Sequence, residues 1–80
     1  MPYEFKLERF AEEMEYGTIL RWLKREGDVV SAGEVIVEIE AEKVNHEVES
    51  PVSGRIDAIL AVEGDEIKVG DTMAVIAETA

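Results

Sequence analysis

Apolar residues recur along this chain in short alternating or β-branched runs, separated by polar dipeptides centred on glycine. Ile36-Val37-Glu38-Ile39-Glu40 and Met73-Ala74-Val75-Ile76-Ala77 are bounded by Gly-Glu and Gly-Asp turns, and similar runs lie at 4–7, 18–23, 45–49 and 55–62. Runs of this length and composition predict half-buried strands. Gly27-Asp28 and Gly64-Asp65 are turn dipeptides, and Gly33 and Gly70 supply the positive φ that a second tight turn requires. Pro51-Val52-Ser53-Gly54 breaks the chain near its middle. Turn signals this closely spaced leave no room for a helix longer than about two turns, so the expected class is all-β, two small sheets face to face. Residues 8–16 contain Phe10, Ala11, Met14 and four Glu. They are compatible with a helical turn, but a loop joining the first strand to Gly17 is the reading adopted.

The pattern repeats. Gly17-Thr18-Ile19-Leu20-Arg21-Trp22-Leu23-Lys24-Arg25-Glu26-Gly27-Asp28 lies over Gly54-Arg55-Ile56-Asp57-Ala58-Ile59-Leu60-Ala61-Val62-Glu63-Gly64-Asp65 at an offset of 37, without a gap. The register continues through Val30 on Ile67, Gly33 on Gly70, Ile36 on Met73 and Ile39 on Ile76. The repeat predicts two copies of one β unit, at about 17–40 and 54–77, related by a pseudo-twofold axis inside one domain spanning 1–80. Neither copy is large enough to close a core alone.

Fold requirements act on both copies equally, so function is expected where they differ. After Ile39 the first copy continues as Glu40-Ala41-Glu42-Lys43-Val44-Asn45-His46-Glu47-Val48-Glu49, whereas the second stops at Ala77-Glu78-Thr79-Ala80. The strands at 35–40 and 45–49 are joined by a connection so short that Lys43 must stand at a hairpin tip. A tight hairpin without Gly, Asn or Pro at its centre is an unfavourable turn sequence, which suggests a second demand on it. Lys43 is the only basic residue between Arg25 and Arg55, in a field of Glu38, Glu40, Glu42, Glu47 and Glu49. One reading is a lysine that relieves like-charge repulsion. The other is an amine displayed for an enzyme to acylate.

Composition narrows the chemistry. The 80 residues carry 8 Lys plus Arg against 19 Asp plus Glu, a net charge of −11, so nucleic acid and anionic membrane surfaces are excluded as partners. The absence of Cys removes disulfides, thiolate nucleophiles and cysteine-based zinc sites, and a single His nearly empties the metal-ligand inventory. No run approaches the roughly 18 apolar residues of a membrane span, and the acidic N-terminus lacks signal-peptide character. The expected compartment is the cytoplasm, or the mitochondrial matrix of a eukaryote.

The stretch Val37-Glu38-Ile39-Glu40-Ala41-Glu42-Lys43-Val44, leading to Glu49-Ser50-Pro51-Val52-Ser53-Gly54, resembles the lipoyl domain of the acyltransferase component of 2-oxo acid dehydrogenase complexes. Gly17-Thr18-Ile19 with Trp22, Glu26-Gly27-Asp28-Val29-Val30 and Glu63-Gly64-Asp65 also fall where that family has similar runs, so the resemblance covers the chain. It implies a flattened β-barrel, or barrel-sandwich hybrid, of two four-stranded antiparallel sheets. It implies lipoic acid in amide linkage on Lys43 as a swinging arm, in a domain that is itself non-catalytic and monomeric. The implied partners are a 2-oxo acid decarboxylase, the acyltransferase core, dihydrolipoyl dehydrogenase, and a lipoate ligase or the enzymes of lipoyl synthesis. In that family the first loop contributes to recognition by the decarboxylase, which makes Glu12, Glu13, Glu15 and Tyr16 candidates for partner contact, against the plainer reading of a solvated acidic loop. Glu42 and Val44 flank the lysine and are candidates for reading by ligase or decarboxylase.

The chain departs from the family where Glu42 replaces the usual Asp, and where Leu7-Glu8-Arg9-Phe10-Ala11-Glu12-Glu13 replaces a Leu-Pro and Gly-Glu-Gly opening. Two other readings stay open. Biotin carrier domains share the fold and the hairpin lysine, but their Glu-Ala-Met-Lys-Met has lost both methionines here. An unmodified barrel-sandwich interaction module, with Lys43 bare, is the third. A lipoylated glycine-cleavage carrier is a longer chain with additional helix. Trp22 aligns with Ile59 and is expected in the core, and His46 is read as a strand residue without a role.

Overall fold

The computed structural model describes residues 2–79, and every regular element in it is a strand. They are β1 (Pro2–Lys6), β2 (Tyr16–Trp22), β3 (Val29–Val30), β4 (Val35–Ala41), β5 (Val44–Glu49), β6 (Gly54–Ile59), β7 (Glu66–Lys68) and β8 (Thr72–Glu78). They form two four-stranded antiparallel sheets in the orders β1-β8-β6-β3 and β5-β4-β2-β7. No ladder joins one sheet to the other among the described residues. The flattened barrel expected from the sequence is therefore a sandwich of two facing sheets that do not close on each other among the described residues.

The internal repeat is reproduced in strands, bulges and turn hydrogen bonds. Strands β4 and β8 begin and end 37 residues apart (72 − 35 and 78 − 41), with inward residues at matching places. The ladder between β2 and β4 is interrupted between Ile19 and Arg21, and that between β6 and β8 between Ile56 and Ala58, again 37 residues on. Each half clasps the other. Gly27 N–H donates to Ile56 O (2.7 Å) and Gly64 N–H to Ile19 O (2.8 Å), while Ile56 N–H and Ile19 N–H return bonds to Asp28 O and Asp65 O, both at 2.9 Å. The Asp28 and Asp65 carboxylates accept from Arg25 N–H and Val62 N–H at 2.9 Å, fixing the two equivalent turns. Gly33 and Gly70 have φ of 91° and 95°, the left-handed backbone expected of them.

The core lies between the sheets. Ile36, Val37 and Ile39 from β4 meet Met73, Ala74 and Ile76 from β8, with Ile19, Ile56, Leu7 and Met14 also buried. Burial of each large aliphatic side chain contributes about 1.5–3 kcal/mol. Trp22 packs at the margin of this core, its ring edge-on to Phe5 with centroids 6.5 Å apart, and its Nε1–H donates to Ala61 O at 2.7 Å. Gly17 and Gly54, a repeat pair, are buried where β strands pack closely. A Cβ on Gly54 would collide with the backbone carbonyl of Ala77, and one on Gly17 would meet the Ile39 side chain at 2.9 Å.

Three details differ from the sequence reading. The two- and three-residue strands β3 and β7 have no alternation to betray them. Strand β6 stops at Ile59 rather than 62, since Leu60 N–H turns to Met73 O (2.8 Å) and leaves Leu60 and Val62 exposed. Strand β2 starts at Tyr16, because β7 pairs Lys68 with it. Residues 7–15 are a loop, as the reading of that segment expected.

Candidate functional site

Strands β4 and β5 pair from Val35↔Glu49 to Ala41↔Val44, which leaves only Glu42 and Lys43 to reverse the chain. Both have left-handed backbone, φ 52° and 64°. Positive φ at both central residues marks the type I′ turn, whose twist matches that of the strands it joins. Asn-Gly is the favoured sequence there, and a side chain with a Cβ costs roughly 1–2 kcal/mol per left-handed residue. The unfavourable turn chemistry seen in the sequence is thus real strain at two adjacent residues, retained at the point where the amine is displayed.

The base of the tip is fixed by buried Ala41, while Glu42, Lys43 and Val44 are all exposed. Arg21, Lys24 and Arg55 form ion pairs with Glu38, Glu34 and Asp57; Lys43 forms none among the described residues. Its glutamate neighbours are spread along the two strands, with Glu38 opposite Glu47 and Glu40 opposite Asn45. An amine without a partner can be acylated without first breaking an ion pair. The plainer reading, a lysine neutralising its hairpin, lacks the contact that would support it.

The other candidates fall into two groups. Tyr16, half-exposed at the start of β2, pairs with Lys68 of β7 and lines a shallow cleft with Arg9, Glu15 and Val69, so the structure groups it with the loop and not with the lysine turn. Glu12, Glu13 and Glu15 are exposed on the loop of residues 7–15, whose ends are anchored by buried Leu7 and Met14. Arg9 Nη1 donates to Glu12 O at 2.9 Å, Met14 N–H to Ala11 O at 3.0 Å, and Phe10 N–H to Met14 Sδ at 3.2 Å, which gives the loop a definite shape. Val69 N–H bonds Glu15 O at 3.0 Å and ties the loop's exit to the end of β7.

One contact was not foreseen. Phe10 lies flat on His46, with ring centroids 4.4 Å apart and planes inclined by 22°. His46 pairs with Ile39, so its ring stands on the inward face at the sheet edge, and Phe10 covers it. Together with Glu38, Asn45 and Glu47 the two rings line an open cleft beside the hairpin. The signal in the sequence was the alternation itself, which places His46 in an inward position normally held by an aliphatic residue. Among the described residues, no three His, Cys, Asp or Glu side chains converge to hold a metal.

Comparison with known proteins agrees with this geometry. A family model described as "Biotin-requiring enzyme" matches residues 3–76. The chain is 49% identical over 78 residues to the dihydrolipoyllysine-residue succinyltransferase component of the 2-oxoglutarate dehydrogenase complex of Staphylococcus saprophyticus, covering 98% of this chain and 18% of that protein. It is 45% identical over 74 residues to the dihydrolipoyllysine-residue acetyltransferase component of the pyruvate dehydrogenase complex of Acholeplasma laidlawii, covering 92% of this chain and 14% of that protein. The chain thus spans less than a fifth of the length of these relatives. Among solved structures, the lipoyl domain of the 2-oxoglutarate dehydrogenase complex of Azotobacter vinelandii superposes with a TM-score of 0.80 at 34% identity, covering 96% of this chain and 98% of that one. A single-chain, multi-domain long-chain acyl-CoA carboxylase contains the same fold, with a TM-score of 0.83 at 24% identity, covering 99% of this chain and 7% of that one.

Proposed function

The chain belongs to the family of biotinyl- and lipoyl-type carrier domains, and from that premise we propose that it is the lipoyl carrier domain of a dihydrolipoyllysine-residue acyltransferase, with Lys43 as the attachment residue. The observation that carries this reading is the two-residue left-handed turn that holds an unpartnered lysine amine clear of the sandwich. The residues fit the group. A free primary amine is the donor an amide requires, and a tip with only Glu42 and Val44 beside it is open to the ligase and to several enzymes in succession. Amide formation removes the one positive charge of the hairpin and leaves its acidic flanks unchanged.

A lipoyl group bound there supplies a dithiolane that takes up an acyl group together with two electrons and releases them at separate active sites. The chain supplies position. Strands β4 and β5 hold the attachment point rigid, and a tethered rigid point gives a high effective concentration at each site it visits. Glu42 favours lipoate over biotin, because an acidic residue before the lysine is the lipoyl pattern and a methionine there the biotinyl one. The partners that follow are a 2-oxo acid decarboxylase, the acyltransferase core, dihydrolipoyl dehydrogenase and a lipoate ligase. Glu12, Glu13, Glu15 and Tyr16 border the decarboxylase contact.

The test is intact and tandem mass spectrometry after separate incubation with a lipoate ligase plus lipoate and with a biotin ligase plus biotin. A single lipoyl adduct on Lys43, lost in Lys43→Ala, is the expected result. Biotin on Lys43 would assign the domain to carboxylase chemistry. No adduct from either ligase would leave an unmodified interaction module.

A further inference from the structure

The Phe10–His46 stack joins the two parts of the molecule that a partner must meet together, the loop of residues 7–15 and the strand that leaves the lysine turn. Phe10 stands near the middle of the loop, two residues before Glu12, and His46 three residues after Lys43. The loop also packs Phe10, Ala11 and Met14 on the core, and its ends are held by Leu7 N–H on Asp71 O (3.0 Å) and by Val69 N–H on Glu15 O (3.0 Å). Both anchors lie on the side of β7 and β8. Of the two aromatic contacts among the described residues, the one with His46 is the one that binds the loop to β5.

The repeat shows that the fold does not require this contact. Strand β1 is the counterpart of β5, since Ile76 pairs with Tyr3 as Ile39 pairs with His46. The chain leaves β5 through residues 50–53 and enters β6 at once, whereas it leaves β1 through the longer 7–15 before β2. The connection 50–53 packs Val52 on the core but carries no aromatic ring. The stack exists only beside the lysine, in the copy where the structure also retains the strained turn.

We propose that Phe10 and His46 are positioning residues, which hold the acidic loop and the Lys43 hairpin in one fixed arrangement so that a decarboxylase engages both at once. The proposal rests on the carrier reading above. Neither ring touches the reacting atoms. Their contribution is to fix the loop relative to the already rigid hairpin before the partner arrives, which appears as affinity for the partner and leaves the chemical step alone.

The test uses the chain lipoylated at Lys43 and the thiamine-diphosphate-dependent decarboxylase components acting on pyruvate and on 2-oxoglutarate. In Phe10→Leu and His46→Gln, which keep volume but lose the stack, the KM for the lipoylated chain in reductive acylation rises roughly three- to tenfold with kcat within about twofold. His46→Phe, which keeps a ring in place, restores the wild-type KM. Amide chemical shifts of residues 42–47 move in Phe10→Leu, and those of residues 8–15 move in His46→Gln, with the remaining strands unchanged. An unchanged KM in folded variants overturns the proposal, as does His46→Phe behaving like His46→Gln. If neither decarboxylase acylates the wild-type chain, the carrier reading is the one that fails, and unmoved shifts across the stack then overturn the positioning proposal on their own.

Discussion

Residues 17–40 and 54–77 have the same strands, the same bulges and the same turn hydrogen bonds, yet only the first of the two stretches ends in a displayed lysine. Strand β4 runs into Glu42 and Lys43 and returns as β5; strand β8 runs to Glu78 and Thr79, where Thr79 N–H bonds Ser53 O at 2.9 Å. Ala80, the residue 37 positions beyond Lys43, lies outside the described residues. The loop of residues 7–15 has no full counterpart either. The core was solved once and used twice, so what occurs once is free to serve something else. Features present in both halves are the ones that stability depends on, and features present in one are the ones that function can use.

The sharpest way to break this comparison is at the paired glycines. Gly54→Ala drives a methyl into the Ala77 backbone carbonyl, which cannot move without β8, and is expected to cost about 3 kcal/mol. Gly17→Ala meets the Ile39 Cγ2 methyl at 2.9 Å, a buried β-branched side chain that can yield only through χ1 but is not backbone, and is expected to cost less, about 2 kcal/mol. Urea denaturation of both variants measures the difference. Equal losses would show that the two halves are packed alike even here.

The turn gives a smaller effect of opposite sign. Lys43→Gly removes the left-handed penalty and should raise stability by about 1 kcal/mol, while Lys43→Ala, which keeps a Cβ, stays within ~0.5 kcal/mol of wild type. Both lose the attachment amine. A stabilised chain that can no longer be acylated, read from melting curves and mass spectra together, would confirm that the strain at residue 43 is kept for function.

The smallest effect separates the halves by pH. Lys24 Nζ lies 2.9 Å from Glu34, whose carboxylate also accepts from Ser31 N–H at 3.0 Å; its repeat counterpart Asp71 caps Lys68 N–H at 3.4 Å with Ala61 in place of the lysine. The hydrogen bond from Lys24, and then that from Ser31, hold the Glu34 carboxyl below its ordinary 4.5, and the same pair raises Lys24 above 10.5. A lowered carboxyl contributes stability that is present above its ordinary pKa and lost as pH falls through the folded value. Glu34→Gln should therefore be slightly less stable than wild type near pH 7 and converge with it as pH falls below 4.5 and through the lowered folded value. In a Lys24→Ala background, which gives the first half the alanine that the second has at position 61, Glu34→Gln should show less of this convergence in the same acid melting series.

The sequence made the architecture legible because a duplicated register constrains both copies at once. Lys43 could be found because the register sets Glu42-Lys43 against Thr79-Ala80, a lysine where the other copy has an alanine. β3 and β7 could not, because two or three residues carry no period, and they form only when β6 and β2 present an edge to them. The Phe10–His46 contact was hidden for a similar reason. It spans 36 residues (46 − 10), and local pattern places a ring on a face but says nothing of what arrives from elsewhere in the chain.

The reciprocal clasp between the halves also sets an order in time. Strand β2, which pairs with β4 beneath the lysine turn, is bordered on its other side by β7, and Ile19 is held by Gly64 and Asp65. Those residues leave the ribosome more than twenty positions after Lys43 does. Contacts this distant in the chain close slowly and late. The hairpin can pair early, but the sheet beneath it is complete only after synthesis has passed well beyond Lys43, so an enzyme that reads the hairpin on its finished sheet meets the lysine after the domain has folded.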